Sequence, residues 1–483
     1  MSTPSLAARY HERTKYTPEA LAQGASHLDV RRQPPPFKPW VEGERLRLGG
    51  RSPGEQGPDP YAGERLDRVR LGRLLHHTYG VTRVWQAEGQ ALYLRAAPSA
   101  GGLYPTELYV ASRDIEDVPD GLWAYHGGDH ALQLCWAGDF VNDLERFAFG
   151  APAVGAAHAV LIGTGFYERS SWRYRERAYR RVLLDAGHVF GNALQAGAAD
   201  GLGITLAPDF VDDGVDGLLL LDPAREGTLL LAAVGTTPGT ALRAGLRSRE
   251  DRPRDALDDG TWIPMVHRAG QLDVGAEPVT GATPVQAPPS KAMGLDDTPL
   301  PGGAPVLEAI RQRRSTRTFR RQGVPSHALG RILFHASPRA GSPGPCLAPG
   351  LLETYVVVAG VSGMPPGVYR YDAELHALVP RARGAVRAAL HQAALGQDLA
   401  RDAAFTVVHT FDLPAAIERY GDRAYRTAHL EAGLVGQYLN LAALRLGLGA
   451  SGIGGFFDDL VNAILGLPES HAIAYLTTIG VPA

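Results

Sequence analysis

Apolar positions in this chain fall into runs that predict short strands and two long helices. Leu66 to Tyr79 repeats with helical period, whereas Glu107 to Ser112 reads as a strand. Gly121 to His126 and Ala131 to Trp136 read as a hairpin, and Ala159 to Gly163 as an apolar strand. Ala178 to Asp200 carries Ala, Val, Leu and Phe on most faces, which predicts a long buried helix, and Leu229 to Gly235 closes this set as a strand. Ahead of it, residues 1–60 read as an extended arm with a short helix around Pro18 to Ala25, because Pro34-Pro35-Pro36-Phe37-Lys38 cannot continue a helix. Residues 61–245 form a first unit. A polar, Pro-rich linker, 246–303, leads to a second unit, 304–483, that opens on a helical pattern at Val306 to Ile310.

The second unit repeats the first at an offset of 246 residues. Tyr174-Arg-Glu-Arg-Ala-Tyr-Arg falls on Tyr420-Gly-Asp-Arg-Ala-Tyr-Arg, and from Tyr174 to Gly203 13 of 30 positions are identical; chance would give about three. The same offset lays Glu107 to Val110 on Glu353 to Val356 and Gly121 to Tyr125 on Gly367 to Tyr371. Two copies imply an internal pseudo-dimer rather than a solenoid. The expected fold class is α+β: two units, each a central, mostly antiparallel sheet flanked by helices, fused as an intramolecular pseudo-dimer. Ala178–Asp200 and Ala424–Leu446 are apolar enough to be buried on more than one side.

Composition narrows the function classes. A net charge of -3 over 483 residues gives no sign of nucleic-acid binding. Cys135 and Cys346 have no metal-ligand or disulfide spacing, and no HExxH pattern occurs, so no metal is expected. There is neither a signal peptide nor a membrane span in the pattern, so the expected location is cytoplasmic. No GxGxxG follows a strand, so NAD(P)H would be a visiting donor rather than a resident cofactor.

Three stretches carry candidate chemistry. Arg313-Arg314-Ser315-Thr316-Arg317 sets three guanidiniums and hydroxyls just beyond a helix, a donor set suited to a phosphate and a polyol. Pro98-Ser99-Ala100-Gly101-Gly102-Leu103-Tyr104-Pro105 is a small-residue loop that lets backbone approach a flat ligand. Ser451-Gly452-Ile453-Gly454-Gly455 reads as a Gly-rich turn after a helix, able to aim backbone N–H groups at a ring heteroatom. His76, His77 and His188 read as structural.

These motifs, in this order, resemble the FMN-dependent nitroreductase superfamily, and most closely its SagB/ThcOx-type azoline dehydrogenase branch. Tyr10-His11-Glu12-Arg13-Thr14-Lys15 and Gln33 to Lys38 resemble the long tandem members of that branch. The resemblance implies FMN at an interface between units. Arg313, Arg314, Ser315 and Arg317 would hold its phosphate and ribityl oxygens, backbone near Gly454 and Gly455 would meet the ring at N5, and Pro98 to Gly101 would line the far side. The intact pieces are split between units. At the place of the Pro-Ser loop the second unit has Pro338-Arg339-Ala340-Gly341, and at the place of Ser451–Gly455 the first has Thr205-Leu206-Ala207-Pro208-Asp209. One composite site and one degenerate site per chain are therefore expected. A basic phosphate clamp that many relatives carry beyond the last strand has no counterpart after Gly480; Arg243, Arg247 or the arm would have to supply one.

The azoline dehydrogenase branch carries a Lys-Tyr pair implicated in catalysis. The equivalents here are Arg173-Tyr174 and Arg419-Tyr420, so Tyr174 and Tyr420 are the catalytic candidates, while the arginines are poor bases. Three readings follow from the resemblance: an FMN-dependent dehydrogenase (oxidase) of an azoline or related peptide-derived metabolite reoxidised by oxygen; an NAD(P)H-dependent nitro, quinone or ene reductase; or an inactive flavin- or peptide-binding scaffold. A monomer, its dimer surface already internal, and a homodimer are both compatible with this organisation.

Overall fold

The structure, a computed structural model, describes residues 5–23, 28–39, 43–49, 66–87, 90–235, 245–248, 262–279, 292–337 and 344–483. The chain divides into two compact units. The N-terminal unit consists of Val30–Pro278 and Gly302–Gln312; the C-terminal unit consists of Arg313–Ala483, Met1–Asp29 and Val279–Pro301. The loop Pro338–Gly341, singled out in the sequence, lies outside the described residues, as does Arg243.

In the N-terminal unit a seven-stranded sheet runs in the order Arg45–Arg47, Ala131–Ala137, Gly121–His126, Thr106–Ser112, Ala159–Phe166, Glu226–Gly235, Gly203–Ala207. All of these neighbours pair antiparallel. The C-terminal unit repeats that order with Met293–Gly294, Ala377–Arg383, Gly367–Asp372, Glu353–Val358, Phe405–Asp412, His471–Pro482 and Gly449–Ile453. It adds one strand, Phe319–Arg320, paired with Val481 and Pro482. The internal duplication read from the sequence is thus a duplication of the fold, and the strands Gly121–His126, Ala131–Ala137 and Ala159–Phe166 begin and end on their offset counterparts.

Each sheet carries a long central helix, Ala178–Ala199 in one unit and Arg423–Arg445 in the other. Every residue from Arg423 to Ala443 is buried, as the lack of a polar stripe in the sequence requires. Packing beneath the helices is complementary. Gly163 leaves room for the Phe190 ring, whose edge would lie 2.3 Å from a Cβ placed there. At the equivalent positions the sizes are exchanged, His409 on the strand and Gly436 on the helix. Edge strands are held by a repeated device. Tyr125 and His130 pair at 3.0 Å while His130 Nε2 meets the Gly49 carbonyl; Tyr371 and His376 pair at 2.7 Å while His376 Nε2 meets the Asp296 carbonyl.

The duplication reaches further than the sequence reading took it. The arm and the linker each contain a helix, Leu6–Arg13 and Trp262–Ala269. His11 Nδ1 lies 3.3 Å from the Tyr425 hydroxyl, and His267 Nδ1 lies 3.0 Å from that of Tyr179. Tyr179 and Tyr425 are offset counterparts, so the two helices are counterparts as well. Leu6–Arg13 belongs to the unit built mainly from Arg313–Ala483, and Trp262–Ala269 to the unit built mainly from Val30–Pro278. At eight residues apiece they are too short to be stable alone, and they are helical because of what their apolar faces dock on.

Candidate functional site

In the C-terminal unit, Arg313 to Thr318 leaves the helix Ala304–Gln312 as irregular chain and is fastened at three points. Thr316 N donates to the Ala450 carbonyl at 2.9 Å, Ala483 N donates to the Thr318 carbonyl at 3.2 Å, and Phe319–Arg320 then joins the sheet. Two of the three candidate motifs are thereby brought side by side. Gly449 makes this possible, since a Cβ there would lie 2.3 Å from Thr316 Oγ1. Arg313 is buried, Arg314 and Ser315 are half-buried and Arg317 is exposed. Arg314 Nη1 donates to the Arg313 carbonyl at 2.6 Å.

The Gly-rich stretch differs from the turn read in the sequence. Gly449–Ile453 is a strand, antiparallel to Leu476–Gly480, and only Gly454 to Phe457 forms the connection to the next helix. Its small residues serve side-chain packing: the Tyr475 hydroxyl lies 1.7 Å from where a Cβ on Gly452 would sit. Gln397 Nε2 braces the connection through the Gly455 carbonyl at 3.0 Å. Ser451 is buried, and its hydroxyl has no hydrogen-bond partner among the described residues.

In the N-terminal unit, Pro98 to Pro105 begins where the hairpin Val81–Arg95 ends. Gly101 and Gly102 have φ of 65° and 67°, the left-handed region that favours glycine. Ser99 Oγ accepts from Tyr104 N at 2.8 Å, closing the loop on itself, and donates to Asp185 Oδ2 at 2.5 Å. Ala100 N donates to the same carboxylate at 3.2 Å. Asp185 is on the central helix, and sequence reasoning missed it; a lone acid amid an apolar helical run was the available signal. Burial pushes its carboxyl up to about 7, against the opposing pull of its hydrogen bonds and of Arg181. The C-terminal unit has the same device one methylene longer: Glu431, the offset counterpart, accepts from Leu347 N and Ala348 N at 2.9 and 2.8 Å.

Tyr174 and Arg173, at the end of the helix Tyr167–Tyr174, are brought onto this loop. A Cβ on Gly101 would lie 2.8 Å from the Tyr174 hydroxyl and 3.3 Å from Arg173 Cδ. Arg181 stacks over the Tyr174 ring at 3.9 Å. Tyr420, the other catalytic candidate, is buried in the C-terminal unit beneath Arg419. The Pro-rich arm also converges here. Buried Arg169 pairs with Glu107 at 2.5 Å and donates to the carbonyls of Tyr104 and Pro35. Arg95 is ringed by Phe37, Tyr79 and Tyr104.

The N-terminal counterpart of the Gly-rich strand is built differently. After Gly203–Ala207 come Pro208 and Asp209, and the Asp209 carboxylate accepts from the N–H groups of Gly245 and Leu246. The chain itself sits against the turn that matches Gly454–Gly455. Among the described residues no cluster of His, Cys, Asp or Glu could hold a metal ion, and no helix is long and apolar enough to cross a membrane.

A family model, the nitroreductase family, matches residues 60–236 and 310–481. A protein of Methanocaldococcus jannaschii named as a nitroreductase, MJ1384, is 32% identical over 175 residues, 36% of this chain and 83% of its own length. The microcin B17-processing protein McbC of Escherichia coli is 27% identical over 150 residues, 29% of this chain and 54% of that protein. The trifolitoxin operon protein TfxC of Rhizobium leguminosarum bv. trifolii is 30% identical over 163 residues, 29% of this chain and 46% of that protein, so this chain spans about half the length of each of these two. A crystal structure from Anabaena variabilis ATCC 29413, described as a nitroreductase, has a TM-score of 0.86 and 35% identity over 100% of both chains. The chain belongs to the nitroreductase family, with one copy of the family fold in each half. It is an FMN-dependent oxidoreductase. Features of each unit, taken by itself, suit that cofactor: in the C-terminal unit a basic segment beside a strand with a buried, unsatisfied serine hydroxyl, and in the N-terminal unit a loop whose exposed glycines leave its backbone bare.

Proposed function

We propose that the chain is an NAD(P)H-dependent reductase of nitro, quinone or ene compounds. FMN, when bound, supplies two-electron hydride chemistry. Arg313, Arg314 and Arg317 hold its phosphate and ribityl oxygens, helped by Ser315 and Ser451, because guanidiniums remain charged and fork onto phosphate. In the C-terminal unit the backbone at Gly452 to Gly455, with Ile453, would meet a flavin ring; in the N-terminal unit Pro98, Ser99, Ala100 and Gly101 would line one. The observation that carries the reductase reading is the placement of Arg173, exposed and against Gly101. A fixed cation suits a polyanionic nicotinamide nucleotide, and it cannot remove a proton from carbon. Reduction needs no such base, whereas azoline oxidation does. Anaerobic mixing with NADPH tests this: rapid loss of the oxidised flavin absorbance is expected, and absence of bleaching by both NADPH and NADH would sink the reading.

Similarity to McbC and TfxC favours a second reading, oxidation of an azoline or related peptide-derived substrate with oxygen as acceptor. There Tyr174 or Tyr420 would move the proton. Oxygen consumption dependent on an azoline peptide, and lost in Tyr174→Phe or Tyr420→Phe, would establish it. Pro208 and Asp209, tied to the chain at Gly245, support a single flavin per chain under either reading.

A further inference from the structure

Under the Pro98–Gly101 loop lies a hydrogen-bond arrangement with two self-consistent proton placements. Ser99 Oγ has three directions for hydrogen bonding. One is taken by Tyr104 N, which can only donate to it, and one by Asp185 Oδ2. With Asp185 ionised, the serine must donate its own hydrogen inward, so nothing remains to donate elsewhere. With Asp185 neutral, the carboxyl hydrogen is given to Ser99 Oγ, and the serine hydrogen is released to point away from the helix.

We propose that Asp185 is a positioning residue of the flavin loop, and that its proton decides whether the Ser99 hydroxyl donates to the helix or to the bound flavin. The inference rests on the assignment of Pro98 to Gly101 to the flavin site. Ser99 is half-buried, so its outward direction is open to a ligand, while Asp185 is not. The groups around the carboxyl are few. Arg181 stands one turn earlier on the same helix, and Tyr79 faces it from the end of the helix Arg68–Tyr79 with its hydroxyl pushed up by burial. Arg173 and Tyr174 stand at Gly101. Of these only the arginines are charged near neutral pH, and Arg181 favours the ionised carboxylate. The proton equilibrium is thus set by burial against the two loop donors and Arg181, and it sits near neutrality, where it can respond to a ligand. The offset counterpart Glu431 holds its own loop through two backbone N–H groups, which can only donate.

The test compares FMN affinity, by quenching of flavin fluorescence, at about pH 5.5 and about pH 8.5 in the wild-type chain, Asp185→Asn and Ser99→Ala. The phosphate's own ionisation is common to all three proteins and cancels in the comparison. Wild type is expected to weaken about tenfold more than either variant on going to high pH, equivalent to a unit shift in one coupled proton. Parallel profiles for wild type and Asp185→Asn would overturn the proposal. Infrared difference spectra of the flavin-free protein separate this from the flavin assignment. A protonated carboxyl band at low pH, absent in Asp185→Asn and shifted in Ser99→Ala, is expected. Its absence would overturn the proposal whether or not FMN binds. A titrating band in a protein that never binds FMN would uphold the proton exchange and bring down the flavin assignment instead.

Discussion

The Tyr475 hydroxyl occupies the space where any side chain on Gly452 would begin, 1.7 Å from the position of its Cβ. The Gly-rich strand Gly449–Ile453 is therefore glycine-rich partly for packing against its own neighbour. Gly452→Ala forces Tyr475 to move, an overpacking that costs about 1–3 kcal/mol. It is expected to lower the urea midpoint without changing the slope. The double variant Gly452→Ala/Tyr475→Ala should be less destabilised than the sum of its two single changes, since the clash exists only when both side chains are present. Strict additivity would show that the contact carries no strain.

Flavin content of purified protein gives the most direct reading of the proposed residues. About one FMN per chain is expected on heat release, because the N-terminal counterpart of the Gly454–Gly455 connection ends in Pro208 and Asp209, fastened to Gly245 and Leu246. Two flavins per chain would show that this counterpart binds as well.

Arg317→Ala and Gly101→Val are each expected to abolish FMN binding, for unlike reasons. Arg317 is exposed and carries no structural contact that its loss would break among those seen for the segment, so its effect should appear in affinity and leave folding untouched. Gly101 sits at φ 65° with Tyr174 and Arg173 beside it, so a branched side chain strains the backbone and displaces both neighbours. Equilibrium dialysis with FMN checks affinity, and thermal melting of the flavin-free proteins checks folding. Retained binding in either variant counts against the assignment of that residue.

Much of this fold was legible in the chain because the duplication is written at a constant offset. Ala178–Ala199 and Arg423–Arg445 stand within a residue or so of where periodicity put them, since long, uniformly apolar helices announce themselves. The helices Leu6–Arg13 and Trp262–Ala269 were not legible: their reason for being helical lies in Tyr425 and Tyr179, hundreds or tens of residues away. The turn expected at Ser451–Gly455 gives way to strand from Ser451 to Ile453 for a similar cause. Gly449 and Gly452 argue against a strand locally, and only pairing with Leu476–Gly480 and the bulk of Tyr475 override that preference. For the candidate site, the basic segment and the loop were visible as motifs, whereas Asp185, which holds the loop, was hidden inside an apolar helix.

Two buried groups give the chain opposite dependences on pH. Asp185 is raised to about 7 by burial, so its folded form holds a proton that the unfolded form releases above about 4; the stability it contributes is full below about pH 4 and is lost as pH rises through about 7. His409 is lowered to about 4 by burial, with Thr354 Oγ1 3.1 Å from its Nδ1. Its stability is full above about 6.5 and is lost as pH falls through about 4. Between about pH 4 and 6.5 the two slopes oppose each other. If the chain unfolds in one step, wild-type stability should be nearly flat across that window, Asp185→Asn should fall on acidification and His409→Gln should rise. The two groups belong to different units. Should the units unfold in separate transitions, each slope will appear in its own transition, and the variant that flattens a transition identifies the unit that melts in it. Urea melts at several pH values, followed by tryptophan fluorescence and far-ultraviolet circular dichroism, distinguish these outcomes. A wild-type slope unchanged by both substitutions would show that neither group titrates differently on folding.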